Sequence, residues 1–280
     1  MPDKQARLKL DDLHRRVQAI REHIITMTTA AGSGHPTSSL SAVEILTALY
    51  FGGVMRYDAK KPTWPDRDRF ILSKGHAAPV LYAVLAEAGY FPASELATLR
   101  KIDSPLEGHP NMQRLPGVEA STGSLGQGLS LGIGHALACR LDKYDARTYV
   151  MIGDGEMEEG QVWEAFAAAN KYKLSNLTAI VDQNGYQQTG ATRDVLDMSP
   201  LDAKLSAFGW HTQVIEGNNM QSVFDALKAA VAVKDRPTAI VSRTKKGFGI
   251  LPVLEQEGDV NYHGKPLTPA LAEKALALLG

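Results

Sequence analysis

The residues best suited to chemistry lie between Tyr149 and Tyr186. An apolar run there breaks at Gly153-Asp154-Gly155, and a second, Leu177 to Val181, ends in Asp182-Gln183-Asn184-Gly185. A helical segment separates them, so the stretch reads as strand, loop, helix, strand, loop. Asp154 and Asn184 then fall just past the carboxyl ends of two parallel strands. That edge is where open α/β sheets bind ligands. A carboxylate and an amide carbonyl are hard oxygen donors that suit Mg²⁺ or Ca²⁺, and a main-chain carbonyl in the Gly185-Tyr186 turn offers a third. Gly153 and Gly155 let the main chain come close and present N–H groups to anionic oxygens. The set suits a divalent cation that carries a phosphate. Gly-Asp-Gly alone is equally well explained by a strand-to-helix turn with an aspartate cap; Asn184 at the end of the next strand favours the cation. Glu156, Glu158 and Glu159 would repel a diphosphate if all pointed inward, so most of them are expected in solvent.

Four of the eight histidines sit in glycine-bearing loops: His35 in Ser33-Gly34-His35-Pro36, His76 in Lys74-Gly75-His76-Ala77, His109 in Glu107-Gly108-His109-Pro110 and His263 in Tyr262-His263-Gly264. Imidazoles there can bind phosphate or sugar hydroxyls and move protons near neutral pH. A loop histidine is most often merely exposed, but four in such loops are harder to dismiss. Their spacing suits no zinc site. His14, His23, His135 and His211 fall in helical or strand segments and read as structural. The glycine-rich stretch Gly123 to Gly128 is neither a dinucleotide fingerprint nor a P-loop, and Gly-Lys-Ser/Thr is absent, which argues against an ATPase. It also suits a helix start packed close to a neighbour. The run Thr37, Ser38, Ser39, Ser41 suits a helix cap.

The elements that must position these groups follow from periodicity. Residues 8 to 30 read as a helix, with Leu13, Val17, Ile20, Ile24 and Met27 at three- and four-residue spacing. Further helices are expected over Ala42 to Phe51, Ala78 to Gly89, Pro200 to Phe208, Met220 to Val233 (capped by Asn218 or Asn219) and Leu267 to Leu279, and the stretch Ser121 to Gly128 opens a small-residue helix reaching about Leu141. Apolar runs at Arg69 to Leu72, Trp210 to Ile215 and Thr238 to Ser242 complete the strands, while Lys101 to Val118 and Ala191 to Ser199 read as loop. Strands alternating with helices predict an α/β fold: a doubly wound, mostly parallel sheet flanked by helices. No shift in composition marks a second domain, so residues 1–280 read as one domain with an irregular tail over about 245–280.

Composition narrows the classes. With 280 residues and 44% apolar content a sizeable core is available. Thirty basic against 31 acidic residues give a formal net charge of -1, which suggests neither a nucleic-acid nor a membrane surface. Cys139 is the only cysteine, which excludes an internal disulfide and a cysteine-rich metal site and fits a reducing, cytoplasmic setting. The start, MPDKQARLKLDDLHRRVQ, is charged and does not read as a signal peptide. No stretch reaches about 18 apolar residues, so no membrane span is expected.

Taken together the motifs are recognisable. Gly153-Asp154-Gly155 followed by Asn184 resembles the thiamin diphosphate (TPP) signature. Ser33-Gly34-His35-Pro36-Thr37-Ser38, Leu72-Ser73-Lys74-Gly75-His76, Gly108-His109-Pro110, Ser121 to Gly128 and Tyr262-His263-Gly264-Lys265-Pro266-Leu267 are similar to transketolase, in family order from about residue 10 to 267. The tail motif and the Ser-Lys-Gly-His loop are closer to the animal-type branch. The resemblance implies the diphosphate-binding domain of the TPP fold. It implies that Asp154, Asn184 and the main-chain oxygen of Tyr186 hold Mg²⁺ or Ca²⁺ on the diphosphate. Gly155, His76, Ser38, Lys246 and His263 would contact the cofactor, Gly123, Ser124 and Leu125 would line its aminopyrimidine side, and Gln188 would reach it too. His35, His109 and His263 would bind the ketose donor and move protons. Glu159 would join the carboxylate link between the two active sites of the family's dimer.

One departure outweighs these matches. A transketolase is more than twice this length, and the part without a counterpart contains the pyrimidine-binding and C-terminal domains. The glutamate that activates the cofactor and the arginines that bind sugar phosphates belong to that part. The resemblance therefore implies the N-terminal subunit of a split transketolase, working with a C-terminal subunit in a heterotetramer of two copies each. The segment Ile250 to Val260 is also slightly longer than the animal-type pattern. Two other readings stay open: a related TPP enzyme subunit (deoxyxylulose-phosphate synthase-like or 2-oxoacid dehydrogenase-like), and a non-catalytic orphan half that acts as a binding module.

Overall fold

The most apolar runs form five strands: β1 Arg69–Leu72, β2 Thr148–Gly153, β3 Leu177–Gln183, β4 His211–Glu216 and β5 Thr238–Arg243. The structure, a computed structural model, describes residues 10–280. Residues 8 and 9 of the expected first helix, and the first nine residues of the charged N-terminal stretch, lie outside the described residues. The helices are α1 Leu10–Ala31, α2 Pro36–Leu40, α3 Val43–Phe51, α4 Ala78–Glu87, α5 Gln127–Leu141, α6 Gly160–Lys171, α7 Thr192–Val195, α8 Leu201–Ala207, α9 Met220–Ala232, α10 Leu251–Gln256 and α11 Pro269–Leu279.

All strand pairs are parallel, in the order β1-β2-β3-β5-β4. Successive strand residues point to opposite faces, and here both faces are covered. Phe70, Leu72, Tyr149, Met151, Ile180 and Ile240 enter one core with α1, α3, α4, α9 and α11. Ile71, Val150, Ile152, Ala179, Val181, Ala239 and Val241 enter the other with α5, α6 and α8. This double coverage explains why β1, β2 and β3 are continuously apolar rather than alternating. The edge strand β4 is covered less, and Val214 is 40% exposed. In α1 the expected stripe Leu13, Val17, Ile20, Ile24 and Met27 is buried. Each such side chain, fully buried, contributes about 1.5–3 kcal/mol relative to exposure.

Two short helices depart from expectation. The stretch read as loop over Ala191 to Ser199 holds the single turn α7. The tail read as irregular holds α10, started by Pro252, whose missing N–H would have no partner in a first turn anyway. Asn219 rather than Asn218 caps α9, its side chain accepting from the Ser222 N–H at 2.9 Å. The order of strands reverses after β3, because β5 and not β4 takes the place beside it. Such a reversal opens a crevice beyond the carboxyl ends of the strands.

Candidate active site

Gly153, the last residue of β2, pairs with Asp182 of β3, so Asp154 stands at the lip of that crevice. Asp154 is buried; its Oδ1 accepts from the Gly155 N–H at 3.0 Å and its Oδ2 from the Gly185 N–H at 2.7 Å. Burial, and then the Asp182 carboxylate, push its pKa up to about 7. Lys74, whose charge reaches it, is paired with Asp182 instead. A buried carboxylate without its own cation is costly to keep ionised. Asn184 donates through Nδ2 to Asp182 Oδ2 at 3.2 Å and accepts the Tyr186 N–H on Oδ1 at 3.1 Å. Those two bonds fix which amide atom is oxygen and leave one lone pair of Oδ1 unused by them. Among the described residues no group of three or more His, Cys, Asp or Glu is placed to hold a metal. Asp154 and Asn184 offer one carboxylate and one neutral oxygen, donors of the kind a hard cation that also keeps phosphate or water ligands can use. Gly155 leaves no room for a side chain, because a Cβ there would lie 2.8 Å from Gln187 Cβ.

Behind this lip lies a polar layer that motif reading left without roles. Lys74 is 1% exposed and pairs with fully buried Asp182. Its ammonium also donates to Ser38 O at 2.8 Å. Ser41 Oγ donates to Asp182 Oδ2 at 2.6 Å, and Thr244 Oγ1 donates to Oδ1. Burial opposes ionisation of Asp182, but Lys74 and these hydroxyls outweigh it and hold the carboxyl below its usual range. Glu156 is the exception to the expectation that most of the neighbouring glutamates lie in solvent. It is 2% exposed and accepts from Ser73 Oγ (2.5 Å), the Gly126 N–H (2.8 Å) and the Gly153 N–H (3.0 Å), tying three loops together. Burial pushes its pKa up in spite of these bonds. Glu158 is half-buried and Glu159 exposed. The available signal for Lys74 was a lysine two residues past the end of a strand, at the same sheet edge as Asp182.

The imidazoles converge on the same place. Rings of His35 and His76 are 5.0 Å apart, His35 and His263 5.1 Å, and His76 and His263 5.4 Å. His109 packs on Gly123, where a Cβ would lie 3.0 Å from its ring and φ is +155°. Burial pushes the His35 and His263 pKa values down to about 4, helped by Arg100 and Lys246 respectively. It also lowers those of His76 and His109. All four are therefore neutral at pH 7, able to donate on one nitrogen and accept on the other. Nδ1 of His35 is buried without a protein partner. A cavity of about 480 Å³ is lined by His35, Ser38, His76, His109, Gly123, Leu125, Asp154, Gly155, Glu159, Asn184, Tyr186, Gln188 and His263. Of the residues expected from sequence, Ser124 and Lys246 are not in that wall. Lys246 stands behind it, 2% exposed, with Nζ 2.8 Å from His263 Nδ1. His14 and His23 lie in α1, His135 in α5 and His211 in β4, away from this wall, and His23 pairs with Glu87 at 2.9 Å.

A parallel sheet with a Gly-Asp-Gly turn, an asparagine and clustered imidazoles at its carboxyl edge defines a thiamin diphosphate-binding α/β domain. Residues 13–279 match the family model described as transketolase, thiamine diphosphate binding domain. The chain belongs to the transketolase family. It is 46% identical over 276 residues to the transketolase of Pongo abelii, covering 98% of this chain and 42% of that one. It is 41% identical over 268 residues to the 6-deoxy-6-sulfo-D-fructose transketolase subunit SqwG of Clostridium sp. (strain MSTE9), covering 96% of both chains. The transketolase structure from Campylobacter jejuni superposes with a TM-score of 0.89 at 29% identity, covering 98% of this chain and 43% of that one. The chain thus spans about two fifths of the length of the animal transketolases it matches, 42% in the first case. Among the described residues no helix is long and apolar enough to cross a membrane.

Proposed function

We propose that this chain, as a single diphosphate-binding domain, is the N-terminal subunit of a thiamin diphosphate-dependent transketolase. It would act in the cytoplasm with a separate C-terminal subunit carrying the pyrimidine-binding and C-terminal domains, two copies of each. The observation that carries this is the cavity that joins Asp154 and Asn184 to four neutral histidines at one sheet edge. The full-length similarity to a named transketolase subunit supports the division into two chains.

Asp154, Asn184 and the Tyr186 carbonyl would hold Mg²⁺ or Ca²⁺ on the diphosphate. Gly155, Ser38, His76 and His263 would contact the cofactor, Lys246 acting through His263; Gly123 and Leu125, with Ser124 just outside the cavity wall, would line its aminopyrimidine side, and Gln188 would reach it too. Bound thiamin diphosphate supplies the carbon nucleophile for the ketose carbonyl. His35, His109 and His263 grip the ketose hydroxyls, and a neutral imidazole takes or gives the hydroxyl proton as the carbon–carbon bond breaks. Glu159, exposed at the amino end of α6, would join a carboxylate link between two copies. The reaction moves a two-carbon ketol unit from a ketose phosphate to an aldose phosphate.

The test is ketol transfer by this chain alone and mixed with its C-terminal partner, with donors ending in phosphate or in sulfonate. Transfer that needs both chains, thiamin diphosphate and a divalent cation is expected. Full activity of the isolated chain sinks the two-chain reading. Product formation from pyruvate favours a deoxyxylulose-phosphate synthase-like subunit. Absence of metal-dependent cofactor binding by the mixed chains favours a non-catalytic binding module.

A further inference from the structure

Asn261 stands two residues before His263, in a loop the family resemblance leaves without a role. Its side chain reaches two parts of the site at once. Oδ1 accepts from the Lys246 ammonium, and Nδ2 donates to the main-chain oxygen of Gln187 at 3.0 Å. The orientation of the amide is unambiguous, because an ammonium can only donate and a carbonyl can only accept. The backbone of Asn261 is held as well: its carbonyl accepts from Thr37 Oγ1 at 2.9 Å, and its N–H donates to Asp259 Oδ1 at 3.1 Å. Thr37 follows the His35-Pro36 turn, Gln187 follows Tyr186, and Lys246 follows β5. One residue therefore meets three of the loops that build the cavity.

Lys246 in turn contacts His263 Nδ1 at 2.8 Å. A lysine ammonium carries three donors and no acceptor, so Nδ1 must accept and the ring proton must sit on Nε2. Lys246 is 2% exposed, and with few alternatives in solvent its direction is set by the acceptors around it. Asn261 Oδ1 and His263 Nδ1 are those acceptors. Burial lowers the Lys246 pKa to about 8 and the His263 pKa to about 4, so at pH 7 the pair is an ammonium and a neutral imidazole.

We propose that Asn261 is a positioning residue that aims Lys246 at His263, fixes His263 as an Nε2–H donor, and couples that choice to the cation-bearing 184–188 loop. The role of a donor-ready His263 rests on the transketolase reading above; the state of the ring does not. An Asn supplies both functions in one planar group. Asp at this position would keep the acceptor for Lys246 and lose the donor for Gln187, and Leu would lose both.

The test uses the full chain with ¹⁵N-labelled histidine at pH 7, reading the two ring nitrogens of His263 by long-range ¹H–¹⁵N correlation. The wild type is expected to show the Nε2–H tautomer with Nδ1 shifted as a hydrogen-bond acceptor. In Asn261→Leu the Nδ1 resonance should move toward that of an unbonded imidazole and the second tautomer should appear. Asn261→Asp should restore the wild-type His263 signature. Should the leucine variant not fold, Asn261→Ala, which is smaller than the native residue, carries the same expectation. An unchanged His263 signature in the Leu or Ala variant, with or without a lower melting temperature, overturns the proposal. So does failure of Asp to restore it. Neither outcome depends on whether the chain takes part in ketol transfer.

Discussion

Replacing Lys74 by Met tests the polar layer on which the site stands. Lys74 and Asp182 are 1% and 0% exposed, and Met fills most of the lysine stem, so little of the effect comes from lost volume. What is lost is the ammonium opposite a fully buried carboxylate. Ser41 at 2.6 Å, Thr244 and Asn184 at 3.2 Å still donate to Asp182, but none carries charge. Breaking one side of a buried pair costs about 3–5 kcal/mol. For a chain of this size that lowers the melting temperature by roughly 6–10 °C. In the native chain burial disfavours the Asp182 carboxylate, but Lys74 and the hydroxyls win and its pKa is depressed. Its contribution is therefore present above the unfolded carboxyl value and lost only as pH falls through the folded one. In Lys74→Met burial is no longer opposed by a cation, the folded pKa rises above the unfolded one, and the penalty grows as pH rises. Thermal and urea unfolding at pH 5 and pH 8 should show the larger loss at pH 8, and Lys74→Met with Asp182→Asn should recover most of it. A loss below about 1 kcal/mol, equal at both pH values, would refute the claim that the pair carries this layer.

Asp154→Asn removes a carboxyl whose pKa burial and Asp182 raise to about 7. Without divalent cations the variant should melt higher than the wild type at pH 8, and the gap should narrow steadily as pH falls from about 7 toward the unfolded carboxyl value near 4. In calorimetry its Mg²⁺-dependent cofactor affinity should fall by roughly 10–100-fold or more. His35 and His263, at about 4, should stay neutral down to pH 5 in an NMR titration. Because the unfolded chain takes up those protons first, stability should drop as pH falls from about 6.5 toward 4. His35→Asn should flatten that slope, and an unchanged slope would remove His35 as a contributor.

Legibility followed distance along the chain. β1, β2, β3 and β5 were plain because strands buried on both faces must be continuously apolar. α1 was plain because its stripe repeats over about four turns, whereas α7, with four residues, and α10, with six, are too short for a period to show. Asp154 and Asn184 were legible because being just past a strand end is a local property. Which of Glu156, Glu158 and Glu159 turns inward was not legible: only the contact of Glu156 with Ser73, 83 positions away, shows why it is the buried one.

The amino-acid order by itself determined the α/β class, the place of Asp154 and Asn184 just past two strand ends, and the set of histidine loops. Those follow from patterns of apolar spacing and from glycines at turns. The tertiary structure decided that β5 rather than β4 lies beside β3, that Lys74 meets Asp182 across 108 positions, and that Asn261 bridges Lys246 to the cation loop. Such pairings depend on which residues the sheet order brings together and on how far burial strips water from each charge, and no local pattern encodes either.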